Sequence, residues 1–218
     1  MELELNPVEV RVLGCLIEKE IATPDYYPLT LNALVNACNQ KSNRSPVMAL
    51  DENAVIRALD ELRMTHHLAI EVTSTNTRVP KYKHNFHARW NFSPAKTAIL
   101  CELFLRGPQT SGDLRAHASR LYPLADCHEV EEILRGLEAR ENDPFVVHLP
   151  VEPGRRERRW AHLLSGTVEI ATEAEAPPMP TAMPGYARIQ VLEEETAALR
   201  QELDELKASF AAFKTAFE

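Results

Sequence analysis

Glycine is scarce in this chain, with seven residues in 218. None falls in a GxSxG elbow, a GxGxxG turn or a Walker phosphate loop. The glycine-built sites for serine nucleophiles, dinucleotides and nucleoside triphosphates are therefore missing. No apolar run is long enough to span a bilayer, and the acidic opening Met1-Glu2-Leu3-Glu4 carries no signal-peptide core. The four cysteines, Cys15, Cys38, Cys101 and Cys127, are far apart and form no CxxC pair. Cys15 and Cys101 sit among apolar residues at helical spacing, which predicts buried free thiols and a reducing, cytoplasmic setting. The histidines also lack ligand spacing. His66 and His67 are adjacent, His84 and His87 lie on or just beyond an expected strand, and Cys127 and His128 are adjacent at a helix start. No metal, no cofactor and no enzymatic activity are expected.

Surplus positive charge is missing too. The net charge is −8. Residues 1–91 carry −1, residues 92–170 carry −2 and residues 171–218 carry −5, so the acidity is concentrated in the tail. The body of the chain is near neutral, which neither excludes nucleic acid nor supplies long-range steering toward it.

What the chain does have is an internal repeat. Leu5–Leu16 aligns with Phe92–Leu103, each opening on a capping residue followed by proline. Pro28-Leu29-Thr30 and Leu34 align with Pro108-Gln109-Thr110 and Leu114. Asp51, Val55, Leu59 and Leu62 align with Asp126, Val130, Leu134 and Leu137, and Lys81-Tyr82-Lys83-His84 with Arg159-Trp160-Ala161-His162. The parts keep their order, so two copies of one small fold are predicted.

Each copy reads as three helices followed by a hairpin. In the first, Asn6 caps a helix with Pro7 at its first position and Glu9 at its third. Val8, Val12, Cys15 and Leu16 form an apolar stripe, widened by Val10, Leu13 and Ile17. Residues 22–29 read as a loop. Thr30 caps a second helix to about Cys38, and Asp51 a third to about Thr65. Strands are expected at Leu68–Val72 and Pro80–Phe86. The second copy gives helices from Ser93, Thr110 and Asp126, then strands at Phe145–Leu149 and Arg158–Leu163. The predicted fold class is mainly α with small β hairpins: two tandem winged-helix domains, of the helix-turn-helix type, at 1–91 and 92–166. A Pro-rich linker at 167–185 and a coiled-coil helix at 186–218 follow. In that helix Ile189, Thr196, Leu203, Phe210 and Phe217 recur at position a, and Leu192, Leu199, Leu206 and Phe213 at d. Homodimerisation is expected through Ile189, Leu192, Leu199, Leu203, Leu206, Phe210 and Phe213.

Three unbroken strings are specific enough to suggest kinship: Leu5–Lys19, Tyr26–Leu34 and Ala37–Val47. They resemble the YceH-like family of bacterial proteins over roughly residues 5–165. The resemblance implies a tandem winged-helix protein of the bacterial cytoplasm. It implies no activity and brings no catalytic residues.

The candidate interface follows from the predicted fold. Asn39, Gln40, Lys41, Asn43 and Arg44 lie between the second and third helices, where a helix-turn-helix approaches phosphates. Asn53 and Arg57 lie on the outward face of the third helix, the one expected to read base edges. Lys81 and Lys83 flank the first hairpin, and Arg155, Arg156, Arg158 and Arg159 the second. Blander readings stand beside these: a solvated capping loop, and charges that protect exposed strand edges. The second copy's third helix shows Glu131, Glu132 and Glu138 outward, which repels phosphate. Double-stranded DNA is the expected partner of a dimeric regulator. A protein partner, met without nucleic acid, is the alternative.

Overall fold

A computed structural model describes residues 3–73, 79–140, 143–151, 154, 157–166 and 200–201. Residues 1–170 form one compact unit and 171–218 a second. The expected linker and heptads lie almost wholly outside the described residues.

The first unit is mainly helical with two small antiparallel sheets. Helix α1 (Pro7–Ala22) starts as its sequence dictates: Asn6 Oδ1 accepts from the amides of Val8 and Glu9, and the Glu9 carboxylate accepts from the Asn6 amide at 2.9 Å. Helix α2 (Leu31–Cys38) is capped by Thr30, and α3 (Glu52–Asp60), extended by a wider turn over Glu61–Thr65, by Asp51. A short helix α4 (Phe86–Trp90) joins the copies. Then α5 (Pro94–Arg106), α6 (Ser111–Ala118) and α7 (Cys127–Glu138) repeat the series, capped by Ser93, Thr110 and Asp126.

The strands are β1 (Leu29–Thr30), β2 (Ala69–Val72), β3 (Lys81–His84), β4 (Val146–His148) and β5 (Trp160–His162). The first sheet runs β1-β3-β2, with Leu29 opposite Tyr82. In the second copy an isolated bridge joins Gln109 to Trp160, the same two repeat positions. The segment expected as a loop at 22–29 thus ends in a third strand, and α4 replaces the end of the expected strand at 80–86. The apolar run at Leu29 is too short for a periodic signal, since two residues show no alternation.

Helix α1 is buried almost all round: Val12, Leu13, Cys15, Leu16 and Ile17 are fully shielded. Helix α5 is buried likewise, from Ala98 to Cys101 and at Leu103 and Leu105. A helix that is apolar on every side must have neighbours on every side. Here each packs its own copy on one face and the other helix on the opposite face. Gly14 sits at the crossing, where an added Cβ would meet Leu105 Cδ2 at 2.9 Å and Phe104 Cβ at 3.1 Å. Cys101 Sγ donates to the Gly14 carbonyl at 3.4 Å. Gly14 and Cys101 are equivalent positions of the repeat, so the copies meet through matching surfaces, as in an isologous dimer. Cys15 and Cys101 are buried free thiols; Cys38 is buried as well and Cys127 exposed.

Candidate nucleic-acid interface

The loop between α2 and α3 is polar because it is a junction. Arg44 is 6% exposed. Its Nη2 donates to Glu18 Oε2 at 2.5 Å and its Nη1 to Glu18 Oε1 at 3.2 Å, while Nε donates to the Ala37 carbonyl. Arg120, from the second copy, donates to the same Glu18 at 2.7 Å and to Glu102 at 2.6 Å. Burial pushes the Glu18 carboxyl up, but hydrogen bonds and charge from Arg44 and Arg120 outweigh it and hold the group below the usual carboxylate range. Burial opposes the Arg44 charge, and Glu18 more than restores it. The expectation that Arg44 rests on phosphate is therefore corrected: its donors are spent inside the protein.

Its neighbours are also engaged within the protein. Asn39 Nδ2 donates to the Leu50 carbonyl at 2.8 Å, and its Oδ1 accepts from the Leu50 amide at 2.7 Å. Gln40 Oε1 accepts from Arg44. Asn43 Oδ1 accepts from Arg106 of α5 at 3.2 Å, and the Ser45 amide donates to the Leu105 carbonyl at 2.9 Å. Asn39 is bound at both side-chain atoms, which corrects its expected role in donating to a duplex, whereas Gln40 and Asn43 are engaged through their side-chain oxygens, as acceptors. Lys41 remains exposed.

On α3, Asn53 and Arg57 are exposed and four residues apart, on one face. Arg63, further along, is engaged by Asp60 at 3.3 Å and Glu71 at 2.8 Å. Lys81 and Lys83 share one face of β3 and are half-buried. Arg158 is exposed and Arg159 half-buried, whereas Arg155 and Arg156 lie outside the described residues. On α7, Glu131 engages Arg135 at 3.1 Å, and Glu132 and Glu138 are exposed.

Ligand atoms of Glu20, His84 and His87 come within 4.8 Å of one another. The tautomer argues against a metal there. The Phe86 amide donates to His84 Nδ1 at 3.2 Å, so the ring proton sits on Nε2, which faces Glu20 at 2.7 Å. A ligating Nε2 would need the opposite arrangement, with Nδ1 as donor. Burial lowers the His84 pKa, with Glu20 opposing.

Sequence reasoning missed the charges inside the helices, Arg11, Glu18 and Glu102, and their partner Arg120 in the turn after α6. A signal was present, since Arg11 stands between Val10 and Val12 and Glu102 between Cys101 and Leu103. An ionisable residue within an all-apolar helix needs a buried partner.

Two near-matching three-helix units, fused through their first helices, define a tandem-repeat protein of mainly helical class. Residues 5–155 match the family described as "Protein of unknown function, DUF480". The UPF0502 protein of Geobacter sulfurreducens is 54% identical over 204 residues, covering 94% of this chain and 90% of that one. The UPF0502 protein of Aeromonas hydrophila is 48% identical over 216 residues, covering 97% and 98%. The chain belongs to this DUF480/UPF0502 family, consistent with the YceH-like resemblance. No helix among the described residues is long and apolar enough to cross a membrane.

Proposed function

We propose that the chain is a non-enzymatic, cytoplasmic DNA-binding protein of the winged-helix kind, a dimeric regulator that meets double-stranded DNA through its first repeat. One observation carries the reading. Asn53 and Arg57 are exposed on one face of α3, and no ion pair among the described residues engages either. Asparagine suits adenine edges and arginine suits guanine edges in a major groove. Lys41, Lys81 and Lys83 supply the phosphate contacts, and the second hairpin's arginines extend them. The donors of Asn39 and Arg44 are committed to the loop and to Glu18 and do not touch the duplex.

A second reading is favoured by α7. Its exposed Glu132 and Glu138 have no counterpart on α3, and its one arginine is engaged by Glu131. That face suits a protein partner and no nucleic acid.

Electrophoretic shift of a randomised duplex pool at low and moderate salt separates the two. DNA contact predicts a steep fall in affinity with salt. Lys41→Ala should lower the salt slope by about one counterion without changing the preferred sequence, whereas Asn53→Ala and Arg57→Ala should change that preference. No shift at low salt would overturn the DNA reading and leave the protein-partner reading standing.

A further inference from the structure

A cavity of about 260 Å³ lies in the first unit where the two copies meet. Its walls are apolar, formed by Val10, Met48, Phe104 and Pro108, with Ala161 at one side. Ser45 and Ser165 stand at the rim, both exposed. Two ionisable side chains complete the lining: Arg11 from α1 and His162 from β5.

Arg11 is 2% exposed, yet every acceptor it meets is neutral. Its Nη1 donates to the Cys38 carbonyl at 3.2 Å and its Nη2 to the Pro46 carbonyl at 2.7 Å. Its Nε has no hydrogen-bond partner among the described residues. Glu18, the carboxylate whose charge acts on Arg11, is taken by Arg44 and Arg120. Among the described residues no carboxylate forms an ion pair with Arg11, and its guanidinium is held only by neutral carbonyls. Buried charges are normally paired, because an unpaired one forfeits hydration with no return.

His162 adds a second unmade bond. Its Nδ1 is also buried and without a partner among the described residues. Four buried side-chain nitrogen or oxygen atoms are in that position, and two of the four belong to residues lining this one cavity. Burial pushes the His162 pKa down to about 4, so the ring is neutral at pH 7 and can donate or accept at Nδ1.

We propose that this cavity is a binding site for a small organic carboxylate with an apolar body, its charge pairing with Arg11 and its body lying against Phe104 and Val10. The volume suits a molecule of roughly ten heavy atoms, just below the drug-sized range. On binding, the carboxylate pairs with the Arg11 guanidinium, and neutral His162 supplies a second donor. The inference goes beyond the DNA reading and does not rest on it.

Isothermal titration of the full chain with sodium benzoate tests it, with benzamide as the uncharged match. Benzoate should bind one-to-one with a Kd of about 0.1–1 mM, the range open to a ligand of this size. Benzamide should bind at least about ten-fold more weakly, since it loses the charge-assisted bonds. Arg11→Met should weaken benzoate by at least about ten-fold. Because Arg11 also braces the Pro46 loop, a second variant guards against misfolding. Ala161→Leu fills the cavity from its wall, leaves the buried charges in place, and should weaken benzoate to the same degree with an unchanged far-UV spectrum. Three results would overturn the proposal: no heat from benzoate or from hexanoate at about 10 mM, equal binding of benzamide, or benzoate affinity unchanged in well-folded Ala161→Leu.

Discussion

Arg44 and Glu18 form a two-pronged ion pair, 2.5 Å at its shorter contact, with side chains 0% and 2% exposed. The pair ties the loop after α2 to the middle of α1, and Arg120 of the second copy closes on the same carboxylate. Arg44, read together with Lys41 as a phosphate contact, is instead bound to the carboxylate on which the second copy's Arg120 also closes. Arg44→Ala should cost about 3–5 kcal/mol in urea unfolding, because it strips a buried carboxylate of its principal partner. Arg44→Lys should recover only part of this, since an ammonium cannot make both prongs. A surface phosphate anchor would cost within about 0.5 kcal/mol. A loss that small would contradict the structural role.

Gly14 marks where the two first helices touch. Valine there would press a branched side chain into Leu105 and the Phe104 backbone side, where a single Cβ already approaches to 2.9 Å. The expected cost is about 2–3 kcal/mol, combining overpacking with the stiff rotamers of valine in a helix. Alanine should be nearly neutral, because its helix propensity, worth about 1 kcal/mol over glycine, offsets a contact that the flexible Leu105 end can relieve. Chemical denaturation of both variants checks the ordering. Equal stability of Gly14→Val and the parent would mean that the helices do not cross here.

Much of the fold could be read in the sequence because caps and periodic stripes are local. Asn6, Thr30, Asp51, Ser93, Thr110 and Asp126 each cap the helix expected of them. The packing of α1 on α5 is a long-range relationship, and only its shadow showed, as the unusually wide apolar face at Val10, Leu13 and Ile17. Strand β1 was missed because two residues carry no period. The candidate interface was least legible. A string such as Asn39–Pro46 has the same composition whether its donors face a duplex or the protein's own carbonyls. Only the buried carboxylate at Glu18, 26 residues away, decides which, and sequence spacing does not place it. Asn53, Arg57 and Lys41 could be read as outward positions and are found exposed.

The low pKa of His162 makes the fold sensitive to acid. Burial lowers it from 6.5 to about 4, with no compensating charge. The neutral ring belongs to the folded state and the protonated ring to the unfolded one. The contribution is therefore complete above about pH 6.5 and lost as pH falls toward 4, amounting to at most about 3 kcal/mol. His162→Phe keeps a flat ring against the Phe104 edge and removes the titration. Between pH 7 and 4 the parent should lose stability faster than the variant by up to that amount. Carboxylates titrate alike in both, so the difference isolates the histidine. Parallel curves over this window would show that the ring reaches solvent and protonates normally.

A dimeric regulator of the proposed kind would pair through its tail. Its heptads place Arg188, Glu195 and Glu202 at g and Glu193, Arg200 and Lys207 at e. In a parallel pair each g side chain meets the following e′ of its partner, giving Arg188 with Glu193, Glu195 with Arg200 and Glu202 with Lys207, all attractive. An antiparallel pair centred on the same region sets Glu195 against Glu202 and Arg200 against Lys207, which repels. Each exposed pair is worth under about 1 kcal/mol, so charge selects the orientation while Ile189, the leucines and the phenylalanines supply the affinity. Sedimentation equilibrium of the full chain should give a dimer at micromolar concentration, and a chain cut after Pro184 should give a monomer. Raising salt should weaken the dimer only slightly, because apolar a and d contacts dominate. A full chain that stays monomeric would remove the coiled coil. The two-fold symmetric operator expected of a dimeric regulator would go with it, leaving the first repeat to read a single half-site.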